Sequence, residues 1–127
     1  MPADNAVTPE LMDRLVEAFN ALDADKVMSF FADDCVFHAS RGRDAAGERF
    51  EGRKAVGEAF RSRFAAIPDI HFSDGEHWIM GEKVMSKWRV TGTLPGGQRL
   101  DCRGCDLWVF KDGKVVSKDT YYKQVEA

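Results

Sequence analysis

Residues 99–124 read RLDCRGCDLWVFKDGKVVSKDTYYKQ, and they decide the fold. Branched and aromatic side chains alternate with polar ones on both sides of Asp112-Gly113. That dipeptide is the turn signal of a hairpin. Upstream, the same alternation runs through Ile70–Met80 and Val84–Leu94, then resumes at Arg99–Phe110 and Val115–Gln124. Gly81-Glu82 and Pro95-Gly96-Gly97 separate the earlier segments. Connections this short force antiparallel neighbours.

Before Pro68 the periodicity is helical. Thr8 and Pro9 look like an N-cap followed by proline at the first helical position. Leu11, Leu15, Val16, Phe19 and Leu22 then recur at helical spacing. Asp23 starts a second, short helix that buries Val27, Phe30 and Phe31, and Asp33-Asp34 stop it. Cys35–Ala39 is a brief strand, and Ser40–Gly52 reads as a polar lid or surface loop. A third helix spans about Arg53–Ile67, with Val56, Phe60, Phe64 and Ile67 on one face and Lys54, Glu58, Arg61 and Arg63 elsewhere. Helices first and a strand meander after indicate α+β, not alternating βαβ units. We expect one domain over residues 1–127. Its curved antiparallel sheet has about four long strands plus a short first strand, wrapped around three helices as a cone with an internal cavity.

The chain has 127 residues, 44% of them apolar and 31% charged, with a net charge of −3. One core fits this length. No basic footprint for nucleic acid is present, and no apolar run is long enough to span a bilayer. Met1–Asn5 lacks the pattern of a secretory leader, so the cytoplasm is the expected compartment. No glycine-rich loop opens a helix after a strand, and three histidines without nearby carboxylates make a poor metal set. Cys102 and Cys105 have CxxC spacing, but a strand points them to opposite faces. All three cysteines read as reduced thiols. Neither cofactor nor metal is expected.

Three stretches carry a family resemblance: Phe31-Ala32-Asp33-Asp34-Cys35-Val36-Phe37-His38, Phe50-Glu51-Gly52-Arg53-Lys54-Ala55-Val56, and Gly104 through Val115. In their order and spacing the chain resembles the nuclear transport factor two-like superfamily, which includes ketosteroid isomerases and SnoaL-like polyketide cyclases. The resemblance covers about Leu11 to Lys123. It implies a small-molecule pocket, with Asp106 at the position of the isomerases' oxyanion-binding acid. It also implies departures. Ala39 stands where the isomerases keep their base, with His38 beside it, and Leu15 stands at their tyrosine. Thr120, beside Asp119, stands where the cyclases keep an acid/base aspartate. Steroid isomerase activity is therefore not expected.

The register of the last hairpin selects the partners of Asp106. A two-residue turn at Asp112-Gly113 sets Asp106 against Asp119, and facing like charges are unfavourable. A three-residue turn, Lys111-Asp112-Gly113, pairs Phe110 with Lys114, Trp108 with Val116, Asp106 with Lys118 and Gly104 with Thr120; we adopt it. Asp106, Lys118, Thr120 and Tyr122 then share the concave face with Trp88 and Trp108, while Lys87, Arg89 and Arg103 point away. Asp106 and Lys118 are the expected polar centre, or else a purely structural cross-strand ion pair. His38 is a candidate proton carrier, or else a histidine bonded beneath the polar loop. His71 and His77 receive no role. Trp88, Trp108, Thr120 and Tyr122 are expected to contact substrate.

Cys105, Leu107 and Val109 form an apolar stripe on the other face, beside Met85, Lys87, Arg89 and Thr91. Superfamily members commonly pair through that face, so a homodimer is expected. Three functions fit: a cofactor-independent acid/base enzyme for a small apolar carbonyl compound, a non-catalytic ligand-binding module, and a dimeric scaffold. The first is preferred, because charges on a cavity wall are costly unless paired or used.

Overall fold

A computed structural model describes residues 6–126. Met1–Asn5, where the absence of a leader was read, lie outside the described residues. The elements run α1 (Pro9–Asn20), α2 (Ala24–Met28), β1 (Phe31–His38), β2 (Arg49–Glu51), α3 (Arg53–Ala66), β3 (His71–Met80), β4 (Lys83–Thr93), β5 (Arg99–Lys111) and β6 (Lys114–Tyr122). One six-stranded sheet has the order β2-β1-β6-β5-β4-β3. It curves without closing, and the helices cover its concave face. The α+β class and the cone architecture agree with expectation. Among the described residues no helix is long and apolar enough to cross a membrane.

Local signals explain the helix starts. Thr8 Oγ1 accepts from the Leu11 N–H at 3.1 Å, with Pro9 at the first helical position. Asp23 caps α2 by accepting from the Lys26 N–H. Two readings needed correction here. Phe30 and Phe31 are not helical: α2 ends at Met28, and Phe31 opens an eight-residue β1. The polar loop also contains β2, whose three residues pair antiparallel with Val36–His38. Burial explains the first correction. Phe31 packs edge-on against Phe60 and Trp108 from the strand position, and Arg53 donates to the carbonyls of Met28 and Phe31.

β1 joins β6 in parallel, so the sheet is mixed, while the meander from β3 to β6 is antiparallel. Between β1 and β2 the chain turns at Gly47, which has φ 77°. A Cβ on Gly47 would stand 1.9 Å from the Ala39 carbonyl oxygen, so only glycine fits there. Asn20, at the end of α1, accepts from the Phe72 N–H and donates to the Phe72 carbonyl, which fixes helix to sheet.

The hairpin register differs from the one adopted above. Asp112 and Gly113 both have positive φ, 52° and 78°, as a two-residue type I′ turn requires. Lys111 pairs with Lys114 and Phe110 with Val115. The ladder then slips by one residue, so that Val109 faces Ser117, Trp108 faces Lys118 and Asp106 faces Thr120. Val116 is the extra residue of this bulge. The slip avoids both the Asp106–Asp119 clash and the predicted direct opposition of Asp106 and Lys118. Thr120 lies two residues beyond the predicted partner. Side chains alternate with period two, so beyond the bulge Lys118 and Thr120 stay inward beside Asp106, while before it Val115 is buried opposite Phe110 and Lys114, expected inward there, is exposed.

Candidate functional site

The centre of the site follows from that register. Asp106 on β5 lies between Ser86 on β4 and Thr120 on β6. It is 4% exposed, Lys118 7% and Thr120 7%. Lys118 Nζ donates to Asp106 Oδ1 at 2.9 Å and to Thr120 Oγ1 at 2.6 Å. The Thr120 hydroxyl donates to the same Asp106 oxygen at 2.5 Å. Trp88 Nε1 donates to the other oxygen, Oδ2, at 2.9 Å. Each partner meets a need: a carboxylate this buried requires donors, and a buried ammonium requires acceptors.

Aromatic faces surround the ammonium. Its nitrogen lies 4.8 Å from the Phe37 ring centre, 5.4 Å from Trp108, 5.5 Å from Phe19 and 5.9 Å from Phe60. Rings at this range attract a cation through their quadrupoles. Four elements supply them: α1, β1, α3 and β5. Gly104 makes room for the Trp88 indole. A Cβ there would approach the Trp88 ring at 2.6 Å and the Tyr121 carbonyl at 2.5 Å.

A pocket of about 540 Å³ opens on this cluster. Phe19, Phe37, Phe60, Phe64, Ile70, Phe72 and Trp88 form its apolar wall, and Lys118, Thr120 and Tyr122 bring polar atoms to it. Ser40, Arg41, Glu48 and Phe50 border it from the segment around β2, while Glu58, Ser62 and Arg63 border it from α3. The volume suits a small molecule. Tyr122 OH accepts from Arg63 at 3.3 Å, and the guanidinium carbon sits 5.9 Å from the Tyr122 ring centre. Burial pushes the Tyr122 phenol above its ordinary value and outweighs the opposing Arg63 charge. The phenol therefore keeps its proton at neutral pH.

The expected site residues separate into three groups. Trp88, Lys118, Thr120 and Tyr122 line the pocket. Asp106 meets three of them but sits one layer behind the wall. Trp108 and His38 do not line it. Trp108 is 4% exposed and donates its indole N–H to Ser86 Oγ at 3.1 Å, so it is core, not substrate wall. Phe37 and Ala39 line the pocket, and alternation turns His38 to the opposite face. There His38 pairs in register with Arg49 and Asp119. Its Nδ1 is buried without a hydrogen-bond partner among the described residues. Ala39 occupies the wall but carries no base.

Sequence reasoning missed two features. Ser86 Oγ lies 2.6 Å from His77 Nδ1. Ser86 Oγ accepts from Trp108, and its own proton is available to a neutral His77 whose Nδ1 is unprotonated. Burial lowers the His77 pKa, consistent with a neutral ring. The pairing of His77 with Ser86 across the β3–β4 hairpin was the available signal. Arg63 was the second omission. It lies seven residues after Val56, at the edge of the apolar stripe of α3, so it borders the pocket.

The element order corresponds to a known domain. The model of the SnoaL-like domain matches residues 12–118. The chain belongs to the SnoaL-like domain family. No curated protein matches it. Among solved structures, a protein of Xanthomonas campestris pv. campestris provisionally named a polyketide cyclase is 22% identical. The match covers 90% of this chain and 88% of that one, with a TM-score of 0.79. A hypothetical protein of Catenulispora acidiphila with a ketosteroid isomerase-like fold, solved with trimethylamine, is 19% identical over 92% and 88%, with a TM-score of 0.78. An NTF2-like protein of unknown function from Mesorhizobium loti is 26% identical over 91% and 89%, with a TM-score of 0.71. The SnoaL-like fold is a cone that binds small molecules, and one such fold carries many chemistries.

Proposed function

We propose that this SnoaL-like chain is a cofactor-independent acid/base enzyme for a small, largely apolar carbonyl compound, with isomerase-, cyclase- or lyase-like chemistry. One observation carries the proposal. Lys118 has three N–H donors, and two have partners in Asp106 and Thr120. The third is left for a ligand in the pocket it lines. A ligand oxygen there would receive a charge-assisted hydrogen bond. If a proton leaves the carbon next to that carbonyl, negative charge develops on the oxygen, against a donor already in place.

The proton acceptor within this cluster is the Thr120 hydroxyl. Its own proton already points at Asp106, so taking a proton from the ligand passes one on to the carboxylate. The enolate then replaces Asp106 as the counter-charge of Lys118. Lys118 and Thr120 touch the reacting atoms, Asp106 positions Lys118 and receives the relayed proton, and His38 takes no part. A non-catalytic binding module is the second reading. It is favoured by the fixed mutual partners of Lys118 and Asp106 and by the outward turn of His38.

Deuterium uptake from D2O at the α-carbon of 2-tetralone, followed by proton NMR, separates the two. The enzyme accelerates uptake over buffer, and Asp106→Asn lowers that acceleration by about 100-fold or more while 2-tetralone affinity stays within a few fold. Binding without accelerated exchange would make the chain a binding module.

A homodimer through the outer sheet face belongs to the same proposal. Its support is exposed apolar surface: Trp78 at 41%, Met80 at 65%, Leu107 at 43% and Tyr121 at 53%. Light scattering should give twice the chain mass, and Leu107→Lys should give one chain mass.

A further inference from the structure

The geometry points to a second anchor in the same pocket: Arg63 with Tyr122 forms a carboxylate subsite, so the ligand is a ring-sized carbonyl acid. This rests on the proposed placement of a ligand oxygen at Lys118.

The charges on the pocket wall do not all have partners. Lys118 has Asp106 as its counter-ion. Arg41, Glu48 and Glu58 are exposed at the rim, where water screens them. Arg63 differs. It is half-buried on the wall, and among the described residues no carboxylate lies within ion-pair distance of it. A guanidinium carries five N–H donors in a planar fork. Its one side-chain partner among the described residues is the Tyr122 hydroxyl. The remaining donors fit the two oxygens of a carboxylate side by side. Tyr122 stays protonated because burial raises its pKa, so its hydroxyl can turn to the same carboxylate. The chain as a whole carries −3, so an unanswered cation on an apolar wall runs against the background charge.

Spacing sets the size of the ligand. Lys118 Nζ bonds Thr120, so it lies at the level of that residue on β6. Arg63 lies at Tyr122, two residues on along the same face. Two residues of strand span about 7 Å. A single six-membered ring with para substituents holds a carbonyl oxygen and a carboxylate at about that separation. The aromatic wall between the two anchors suits the faces of such a ring.

The test compares 4-acetylbenzoate with 4′-methylacetophenone, which keeps the ring and the acetyl group but has methyl in place of carboxylate. Binding is read from tryptophan fluorescence, with Trp88 on the pocket wall. The acid should bind about tenfold tighter or more, as a charge-assisted fork predicts. Arg63→Gln should remove that advantage and leave the affinity for the methyl ketone unchanged. Arg63→Lys should keep part of it. Circular dichroism of both variants checks that the fold is intact. Equal affinity of the two probes for the native protein, with binding weakened by Lys118→Met, would overturn the subsite and leave the Lys118 anchor standing. Failure of both probes to bind would overturn both. An advantage for the acid that survives in Arg63→Gln would show that another cation provides it.

Discussion

Asp106→Asn tests the buried cluster through its energetics. The carboxylate accepts three side-chain hydrogen bonds, from Lys118, Thr120 and Trp88. An asparagine keeps the shape but has one acceptor oxygen and an NH2 group that only donates. If its oxygen faces Lys118 and Thr120, the amide opposes the Trp88 N–H, donor against donor. Lys118 is then left at 7% exposure without a counter-ion. Removing one partner of a buried ion pair costs about 3–5 kcal/mol. The aromatic rings around Lys118 offset about 1–2 kcal/mol of that loss. The net expected destabilisation is therefore about 1–4 kcal/mol, beyond the usual range for a surface carboxylate. Urea unfolding followed by circular dichroism measures it, with the slope checked to confirm that the variant unfolds from the same compact state. A double-mutant cycle with Lys118→Met isolates the pair. The double variant should recover a large part of the loss, because no orphaned charge remains. A loss below about 0.5 kcal/mol, with no coupling to Lys118, would refute the reasoning and mean that water reaches the pair.

Two further perturbations address the supports of the site. Gly104→Ala places a methyl group within 2.6 Å of the Trp88 ring and should cost about 1–3 kcal/mol; tryptophan emission should shift as the indole leaves Asp106, and an unchanged spectrum would contradict the packing. The half-buried His77 has a lowered pKa, so the unfolded chain binds its proton first as pH falls. Its contribution to stability is complete above about pH 6.5 and is lost as pH falls below that value, so the urea midpoint should drop between pH 7.5 and pH 5.5 and drop less in His77→Gln.

Much of the cone was legible because its signals are local. Thr8 and Asp23 each act through their own backbone and cap their helices as expected, and the chain turns at Asp112-Gly113 as expected, though by two residues where three were adopted. The polar centre survived a register error because parity, not register, decides which face a side chain takes. Asp106 and Lys118 meet diagonally where direct opposition was expected, and the bulge at Val116 that makes the difference has no mark in a run of two valines. His38 failed for the same reason that Asp106 succeeded. The family position of the isomerases' base falls on Ala39, which lines the pocket, and its neighbour must then turn away. β2 is three residues long, too short for alternation to register. Trp108 shares a face with Trp88, but its indole points to Ser86 under the helices, a depth that periodicity does not encode. Arg63 looked solvent-facing because charge was weighed before its place on the α3 stripe.

A crystal structure with 2-tetralone bound tests the central claim most directly. The ketone oxygen should lie within hydrogen-bond distance of Lys118 Nζ, with the ring against Phe37, Phe60 and Trp88 and with Asp106 and Thr120 still holding the ammonium. A ketone seated in the pocket with its oxygen toward the rim, and Lys118 bonded to Asp106 and Thr120 alone, would contradict it.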